Sequence, residues 1–494
     1  MRFMNSRTLL VAGGVVLALA ACSQDLVIPN TNEPDTKHAV STPSDVASLA
    51  ASSIETWQDA NQEMNPSQAL AVMADALTSS YNNFGMNLSS SEPRIAYPNN
   101  TTGGDYTSMA QDPWYSNYAA LGEANDALGA IASGIVIDDA ETTEAYKAIA
   151  MLTQGLALGN IALIFDQGFV VDETMTLPVP VDQIKKYPDV SAAAVAKLDA
   201  LIALTQGKTW TLPSTVLPIA GVDLTAANIG KLANTMAARI LAYTPRDAAE
   251  NDAVNWSAVL SHAQNGISSG TPFDFSIQED GGTLWWDGYK AYGDYDPWMR
   301  VSMRVMHEMN ANLPERYTTC ASIPNDNSSP DHRFVTDFTY VGSIPFACAR
   351  GAWHFSNWVH SRYVDVTWVT GEFTGVAPLV LAAENDLLWA EALVHTGGDL
   401  NLAATLVNKT RVGRGQLAPV AADPDALLAA IHYEQDVELL TTGGGLQWFN
   451  RRRIDGLQQG TPRHLPVPAK ELEIDQLPIY TFGGAPPNPV YPDK

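Results

Sequence analysis

The sequence predicts a mainly α-helical protein made of stacked helical hairpins, TPR-like in architecture, with one loop-rich excursion that carries a few short strands. Three observations support this fold class. Apolar residues recur at helical spacing along most of the chain, and turns rich in Gly and Asp separate the helices. This periodicity weakens only between residues 270 and 374. The sequence shows no strict repeat period, so the prediction of a TPR-like fold is based on architecture and not on a consensus sequence.

Residues 1–21 have the pattern of a secretory signal peptide. Arg2 and Arg7 form a positive start, and residues 9–19 form an apolar run too short to span a bilayer with its flanks. Leu19-Ala20-Ala21-Cys22 then resembles a bacterial lipobox. Cleavage before Cys22 would leave this cysteine to carry a diacylglycerol and an N-acyl chain such as palmitate, which anchors a protein durably. The alternative is a soluble secreted protein in which Cys22 has no special role.

A polar tether is expected over residues 22–40, which contain Pro29 and Pro34 and would join the lipid to the folded body. After this tether we expect no membrane-spanning helix, because we find no run that is both long and apolar enough. The body would then lie outside the bilayer.

The chain is strongly acidic, with 28 Lys and Arg against 54 Asp and Glu and a formal net charge of −26. Loss of residues 1–21 would remove two arginines and no acid, giving 26 − 54 = −28. Nucleic-acid binding needs clustered Lys and Arg, so we expect no nucleic-acid partner. The basic run Arg451-Arg452-Arg453 is expected to pair with acids of neighbouring helices.

The chain contains three cysteines, Cys22, Cys320 and Cys348. If Cys22 is lipidated, Cys320 and Cys348 remain as an even pair in an oxidising compartment, where a disulfide would contribute roughly 3–4 kcal/mol. We therefore predict this bridge. Two buried free thiols are the alternative, and no cysteine spacing supports a metal site.

Residues 41–269, the N-terminal part of the folded domain, predict a run of helices. Residues 81–109 are rich in Asn, Ser and Gly and predict a loop. Gly155 and Gly159, four residues apart on one helix, would allow neighbouring helices to approach closely. The predicted helices begin after Thr42-Pro43-Ser44-Asp45, at Pro66, after Asp112-Pro113, near Glu141, after Pro188-Asp189, at Thr225 and at Asn255.

Residues 270–374 form the loop-rich excursion, with one helix expected near residues 299–312. Helices resume over residues 375–494, where Gly397-Gly398 separates the first two. We treat residues 41–494 as a single domain made of these three parts. The first helix after the excursion is expected to begin at Pro378, with an inner face formed by Leu379, Ala383, Leu387, Ala390 and Val394.

The densest aromatic cluster of the chain lies in the excursion. Sugars present C–H faces that stack on flat rings, and carboxylates accept hydrogen bonds from sugar hydroxyls, so the cluster predicts a ligand-binding platform. The alternative is that the rings anchor the core of a loop-rich segment, because Trp and Tyr bury large areas. The candidate ligand-binding residues are Trp285, Trp286, Asp287, Tyr289, Tyr292, Tyr295 and Trp298.

Two further segments combine rings with polar residues. Residues 353–368 alternate them in part, which also fits a half-buried strand. Residues 81–106 combine asparagines with Phe84, Tyr97 and Tyr106, a mixture that suits sugar hydroxyls and equally suits turns. The Asn-rich segment ranks below the first cluster as a ligand site.

Catalytic chemistry has little support in the sequence. Asp287, Asp294, Asp296 and Glu308 could in principle supply the paired carboxylates of a glycosidase, but aspartates beside Gly and Pro are more often turn formers. The nine histidines include no His-x-x-x-His pattern, and no phosphate loop or nucleophile elbow is convincing. We therefore expect a protein that is not an enzyme and that holds no metal or cofactor.

Several different short motifs lie along the chain after the tether. They are Arg239-Ile240-Leu241-Ala242-Tyr243, Asp331-His332-Arg333-Phe334, Glu384, Ala390-Glu391-Ala392, Gly398-Asp399-Leu400, Leu406-Val407-Asn408 with Arg411 and Arg414, Glu434 with Glu438, Trp448-Phe449-Asn450-Arg451-Arg452, and Arg463-His464-Leu465-Pro466-Val467-Pro468. As a set they resemble the SusD/RagB family of outer-membrane nutrient-binding lipoproteins. The chain departs from the family at Gln435, where arginine is usual, and at Asn385-Asp386.

The resemblance implies a function as well as a fold. Members of the family are non-catalytic lipoproteins on the outer face of the outer membrane, where they hold an oligosaccharide or a peptide above a SusC-like TonB-dependent transporter. For this chain it implies oligosaccharide binding, mainly by the excursion, and delivery to such a transporter. A peptide-binding RagB-like lipoprotein and a TPR-like scaffold for outer-membrane assembly are the alternatives.

Overall fold

The computed structural model of the chain describes residues 40–62, 65–175, 178–294, 298–366 and 371–484. Its architecture confirms the predicted fold class, because helices dominate and the strands are short and paired in twos. The predicted signal peptide, the predicted lipidation site Cys22 and nearly all of the predicted tether lie outside the described residues, and so does Tyr295.

The helices of the N-terminal part pack largely in chain order. Their bounds are α1 (Pro43–Gln62), α2 (Ser67–Met73), α3 (Met86–Ser89), α4 (Asp105–Ala132), α5 (Ala140–Ile164), α6 (Tyr187–Thr205), α7 (Ala226–Tyr243), α8 (Ala248–Asp252) and α9 (Trp256–Ala263). Helix α1 packs on α4 and α5, α5 packs on α6, and α6 packs on α7. Each long helix therefore covers the apolar face of a neighbour.

Two local predictions in this part are confirmed. At the start of α1 the Thr42 hydroxyl accepts from the Asp45 N–H (3.2 Å), and the Asp45 carboxylate accepts from the Thr42 N–H (3.0 Å). On α5, a Cβ added to Gly155 would lie 2.5 Å from Leu198 of α6. One added to Gly159 would lie 2.4 Å from a side chain of α7, so both glycines permit close helix contact.

Helix α4 begins earlier than predicted. It starts at Asp105, so that Pro113 lies inside the helix instead of before it. Met109 and Ala110, which precede this proline, are buried in the core. Their packing outweighs the backbone hydrogen bond that a proline cannot donate.

Helix α5 corrects the expectation that no later segment could span a membrane. Among the described residues, it is the one helix long and apolar enough to do so by length and composition. However, 83% of its most apolar window is buried inside the protein. This burial is typical of a core helix.

The strands form antiparallel two-stranded ribbons. The pairs are β1 (Leu77–Thr78) with β7 (Arg300–Val301), β2 (Gln167–Gly168) with β3 (Lys185–Lys186), β4 (Thr211–Leu212) with β5 (Leu224–Thr225), β6 (Phe275–Gln278) with β10 (Val376–Val380), and β8 (Phe338–Tyr340) with β9 (Trp358–His360). Strand β10 includes Pro378, where the sequence predicted the start of a helix. This segment pairs with β6 instead, and its register shifts between Pro378 and Val380.

The remaining helices lie in the excursion and in the C-terminal part. Their bounds are α10 (Gly288–Gly293), α11 (Met303–Met309), α12 (Arg333–Thr336), α13 (Ala382–His395), α14 (Leu400–Arg411), α15 (Pro424–Val437), α16 (Leu446–Arg453) and α17 (Ala469–Ile474). Single turns of 3-10 helix occur at Asn83–Gly85, Val181–Gln183, Cys348–Arg350, Ala352–His354 and Val364–Val366. Helix α13 packs on α9, α14 and α15, which continues the stack.

A disulfide joins Cys320 to Cys348 within the excursion, with their Cα atoms 5.6 Å apart. The even pair of cysteines predicted this bond. Both residues lie at an exposed position, so the alternative of two buried thiols does not apply.

Buried ion pairs connect the excursion to the C-terminal helices. The Arg333 guanidinium, fully buried, donates to Asp331 (2.7 Å), Glu434 (2.7 Å) and Glu438 (3.0 Å). Asp331 and Arg333 belong to the excursion, whereas Glu434 and Glu438 belong to the α15 segment. One cation therefore holds two parts of the chain together through several charge-assisted hydrogen bonds.

The basic run of α16 only partly follows its prediction. Arg451 pairs with Asp436 (3.4 Å), and Arg453 pairs with Glu391 (2.6 Å). Arg452, by contrast, forms no ion pair with an acid of the described residues and donates to backbone carbonyls, including that of Leu163 at the end of α5 (2.6 Å). The negative end of the α5 dipole takes the place of a carboxylate there.

Candidate ligand-binding site

Three of the predicted ligand-binding residues lie in the core. Trp285, Asp287 and Tyr289 are 5%, 1% and 0% exposed. Asp287 caps α10 by accepting from the Lys290 N–H, and it also binds the Lys290 ammonium (both 2.8 Å). Burial raises the pKa of Asp287, and Lys290 opposes that shift. We therefore correct these three from ligand contacts to residues that build the excursion.

Trp286, Tyr292 and Trp298 are half-buried, and their rings form a continuous series. The ring centroids of Trp286 and Tyr292 lie 6.4 Å apart, and those of Tyr292 and Trp298 lie 5.0 Å apart. Three of the rings predicted from the sequence therefore remain partly exposed to solvent. Tyr295, the last of the predicted residues, falls outside the part of the chain that the structure describes.

Half-buried rings from two other segments extend this series. Phe84 lies 5.8 Å from Tyr292, and Tyr81 lies 6.0 Å from Trp298. Phe373 lies 6.0 Å from Trp286. The loop after β1, the region around α10 and the loop before β10 therefore meet at one place. We call the aromatic surface the six residues Tyr81, Phe84, Trp286, Tyr292, Trp298 and Phe373.

Two rings of the aromatic surface have unusual backbone conformations. Phe84 has φ 52° and Phe373 has φ 47°, in the left-handed region that bulky residues seldom adopt. Such strain persists only where the surrounding structure holds it, and it is common at binding sites. On sequence alone, the segment of Phe84 ranks below the first cluster. Phe373 was not predicted, because nothing in the local sequence separates this ring from an ordinary loop residue.

Buried polar side chains hold the backbone beneath Trp286. Gln58 Nε2 donates to the Trp286 carbonyl (2.7 Å), and Gln68 Nε2 donates to the carbonyl two residues later (3.1 Å). Glu279 Oε1 accepts from the backbone N–H between them (2.9 Å). The remaining oxygen of each of these three side chains has no hydrogen-bond partner among the described residues. Three buried side chains therefore fix the backbone that carries Trp286.

Carboxylates also shape the turn that presents Trp286. The Asp280 carboxylate accepts from the N–H groups of Leu284 (3.0 Å) and Trp285 (3.2 Å) and so closes the turn. Burial raises the pKa of the neighbouring Glu279 to about 8. At neutral pH this carboxyl group therefore retains a proton in most molecules.

The segment at 353–368 belongs largely to the core. Phe355 and Trp358 are 4% and 1% exposed, as expected for the alternative that the sequence left open. Burial lowers the pKa of His354 to about 4, so this residue is neutral at physiological pH. Trp368 lies outside the described residues.

The Asn-rich segment is also engaged within the protein at Asn99. Its side chain donates to the carbonyls of Val467 and Tyr480 (both 2.9 Å) and accepts from the Ala469 N–H (2.8 Å). These bonds join residues 467–480 near the C-terminus to the N-terminal part. Asn99 is therefore a structural residue.

The carboxylates considered for glycosidase chemistry are mostly engaged in pairs. Asp294 Oδ1 lies 3.0 Å from His360 Nδ1 in the core, and Glu308 pairs with Arg304 (3.1 Å). Asp296 lies outside the described residues. Within the described ranges, no group of three or more His, Cys, Asp or Glu side chains is arranged to hold a metal ion.

A separate groove of about 500 Å³ lies beside α11, α14 and α15. Its lining is mainly apolar, with Ala426, Ala430 and Tyr433 from α15 and with Arg411 at the end of α14. No residue of the aromatic surface lines it. The groove is therefore distinct from the aromatic surface.

Fold and site together define a TPR-like helical scaffold that presents a half-buried aromatic surface on its loops. Several solved structures share this fold. A SusD superfamily protein from Parabacteroides distasonis superposes with a TM-score of 0.61 and 13% identity, covering 88% of this chain and 97% of its own. A SusD homologue from Bacteroides thetaiotaomicron has a TM-score of 0.60 and 16% identity with the same two coverages.

A third similar structure is a SusD-like carbohydrate binding protein from Bacteroides fragilis, with a TM-score of 0.59, 15% identity, and coverage of 83% of this chain and 86% of its own. No family model matches the sequence, and no curated protein matches it. The chain therefore has the SusD-like fold, as its motifs predict.

Proposed function

We propose that this protein is a non-catalytic binding protein for oligosaccharides and that the aromatic surface is its binding site. The observation that carries this proposal is the meeting of six half-buried rings from three segments of the chain. Sugar C–H faces stack on such rings, and rigid aromatic side chains lose little conformational freedom on binding. The likeness to a carbohydrate binding protein of the same fold supports the same ligand class.

We further propose that the protein is a lipoprotein of the outer membrane, anchored through Cys22 and exposed at the cell surface, and that it delivers its ligand to a SusC-like TonB-dependent transporter. The lipobox and the polar tether support the anchor, and the SusD-like fold supports the transporter partner. A Cys22→Ser variant should lose its lipid and leave the membrane fraction. Retention of that variant in the membrane fraction would contradict the anchor.

The binding site is tested by removing its rings. Trp286→Ala and Trp298→Ala should each weaken oligosaccharide binding about tenfold or more, because each loses a stacking surface. Trp389→Ala serves as a control, since Trp389 is a half-buried tryptophan of α13 outside the aromatic surface. Calorimetry with oligosaccharides chosen from a glycan array gives the affinities.

The outcomes separate the candidate functions. Full affinity in both surface variants would contradict the aromatic surface as the site. Binding of peptides alone would favour a RagB-like peptide carrier. Stable co-purification of a barrel protein without any small ligand would favour a scaffold for outer-membrane assembly.

A further inference from the structure

The loop that carries Tyr81 is supported by residues 346–354 of the excursion. The Phe346 ring is 5% exposed and meets the Tyr81 ring edge-on, with the two ring centroids 6.1 Å apart. Next to it, the Ala347 N–H donates to the hydroxyl of Ser80 (3.1 Å), the residue just before Tyr81. This segment therefore contacts both the ring and the backbone position that presents it.

Further hydrogen bonds extend the same contact along the loop. Arg350 Nη1 donates to the Ser80 carbonyl, and Trp353 Nε1 donates to the Ser90 carbonyl (3.0 Å). Both acceptors belong to the loop after β1, which contributes two rings to the aromatic surface. The position of this loop therefore depends on where residues 346–354 are held.

The disulfide joins this support to a firmly anchored part of the excursion. Cys348 belongs to the supporting segment, and Cys320 is its partner. The Tyr317 hydroxyl, three residues before Cys320, donates to the buried side chain of Asn357. The Ile323 N–H, three residues after Cys320, donates to the same Asn357 oxygen (3.3 Å). The bridge therefore ties the support of Tyr81 to a segment that is fastened on both sides.

Both cysteines of this bridge are exposed, so a thiol in the surroundings can reach the bond. Exposed disulfides are commonly the labile or regulatory ones. A dithiol that reduces the bridge supplies two electrons and two protons and closes to its own cyclic disulfide, while the S–S bond breaks and leaves two cysteine thiols. Residues 346–354 then lose their covalent link to the segment around Cys320.

We propose that the Cys320–Cys348 disulfide is a redox-sensitive clamp, which holds Tyr81 in the aromatic surface and weakens ligand binding when a thiol reduces it. Without the clamp, the loop of Tyr81 must be ordered when a ligand binds, and that ordering lowers the affinity. This inference rests on the proposed function and adds the regulation of the same site.

The first test compares the oxidised and the reduced protein with two probes, the α-1,4-linked and the β-1,4-linked hexasaccharide of glucose. Calorimetry on the full folded protein should show binding weaker by about three- to tenfold after treatment with a dithiol. Reoxidation should restore the affinity. Cys320→Ser combined with Cys348→Ser should bind at the reduced level and should not respond to the dithiol.

Two single-ring variants locate the effect. In Tyr81→Ala the ratio of oxidised to reduced affinity should fall close to one, because the ring that the clamp holds is absent. In Trp286→Ala, at the other end of the aromatic surface, the ratio should keep its wild-type value. An equal ratio in the two variants would overturn the proposal, because the disulfide would then act through the stability of the whole excursion.

Amide hydrogen exchange provides a measurement that needs no ligand. Reduction should speed exchange in residues 78–90 and leave it unchanged in residues 280–288, which carry Trp286. Equal affinity of the two forms, or unchanged exchange in residues 78–90, overturns the clamp and leaves the proposed function in place. If neither hexasaccharide binds while exchange changes as expected, the result counts against the proposed function alone and supports the clamp.

Discussion

Glu279 is the residue whose ionisation should matter most for stability near neutral pH. The Glu279 side chain is 3% exposed and accepts a hydrogen bond from one backbone N–H. Burial raises the pKa of its carboxyl group from 4.5 to about 8. The folded protein therefore keeps a proton that the unfolded chain releases between these values. The free energy of unfolding should fall as pH rises through this window and level off above pH 8.

The variant Glu279→Gln should remove this dependence, because the amide still accepts from the Asp287 N–H but does not ionise. Relative to the variant, the wild type should lose on the order of 1 kcal/mol per pH unit between about pH 5 and 8. Urea unfolding at several pH values measures the difference. The exposed Glu473→Gln should give a curve parallel to that of the wild type, and a parallel curve for Glu279→Gln would contradict the prediction.

Adjacent residues of the site have opposite roles that sequence chemistry cannot separate. Trp285 fills the core, whereas Trp286 is half-buried and its indole N–H has no acceptor among the described residues. Both tryptophans could be predicted as candidates, because the density of rings alone distinguishes the segment. Which of them faces solvent depends on Gln58 and Gln68, which reach this backbone from a distant part of the chain.

At the scale of single elements, α5 depends on its glycines. A methyl group at position 155 would meet Leu198 at 2.5 Å in a fully buried interface. Gly155→Ala should therefore cost about 1–3 kcal/mol despite the higher helix propensity of alanine. Thermal unfolding followed by circular dichroism measures the loss.

The matched control is Gly122→Ala on α4. A Cβ at Gly122 would meet nothing within 4 Å, so alanine should stabilise the helix by about 0.5–1 kcal/mol. Equal effects of the two substitutions would show that backbone propensity, and not the close contact of α5 with α6, decides the outcome.

Elements were predictable where local chemistry determines them. The Thr42 and Asp45 side chains cap α1 at the position that the sequence indicates. The start of α4 was predicted wrongly, because the residues before Pro113 are buried against distant segments. Strand β10 was predicted as a helix, because its pairing with β6 is also a contact between distant segments. A local pattern carries no information about such contacts.

For the whole molecule, the motifs that resemble the SusD/RagB family are structural. Arg239 pairs with Glu384 (2.5 Å) in the core, joining α7 to α13, just as other motif residues join the excursion to the α15 segment. These pairs explain why the fold could be predicted from short motifs while the ligand could not. They hold the scaffold together and none of them belongs to the aromatic surface.

The cooperativity of the whole domain should depend on Arg333. Its side chain is fully buried against Asp331, Glu434 and Glu438. Arg333→Met would leave the buried carboxylates of Asp331 and Glu434 without a cation, whereas Glu438 keeps its pairs with two other arginines. Breaking a buried pair in this way costs about 3–5 kcal/mol. Limited proteolysis and urea unfolding should then show the excursion opening before the helical scaffold.

Arg463→Met is the matched control for this last prediction. Arg463 pairs with Asp455 (2.7 Å), but its side chain is 43% exposed, and exposed ion pairs contribute about 0–1 kcal/mol. The same substitution should therefore leave proteolysis and unfolding nearly unchanged there. If Arg333→Met unfolded in a single transition at wild-type stability, the buried network would not be what fastens the excursion, and apolar packing alone would have to hold the aromatic surface in place.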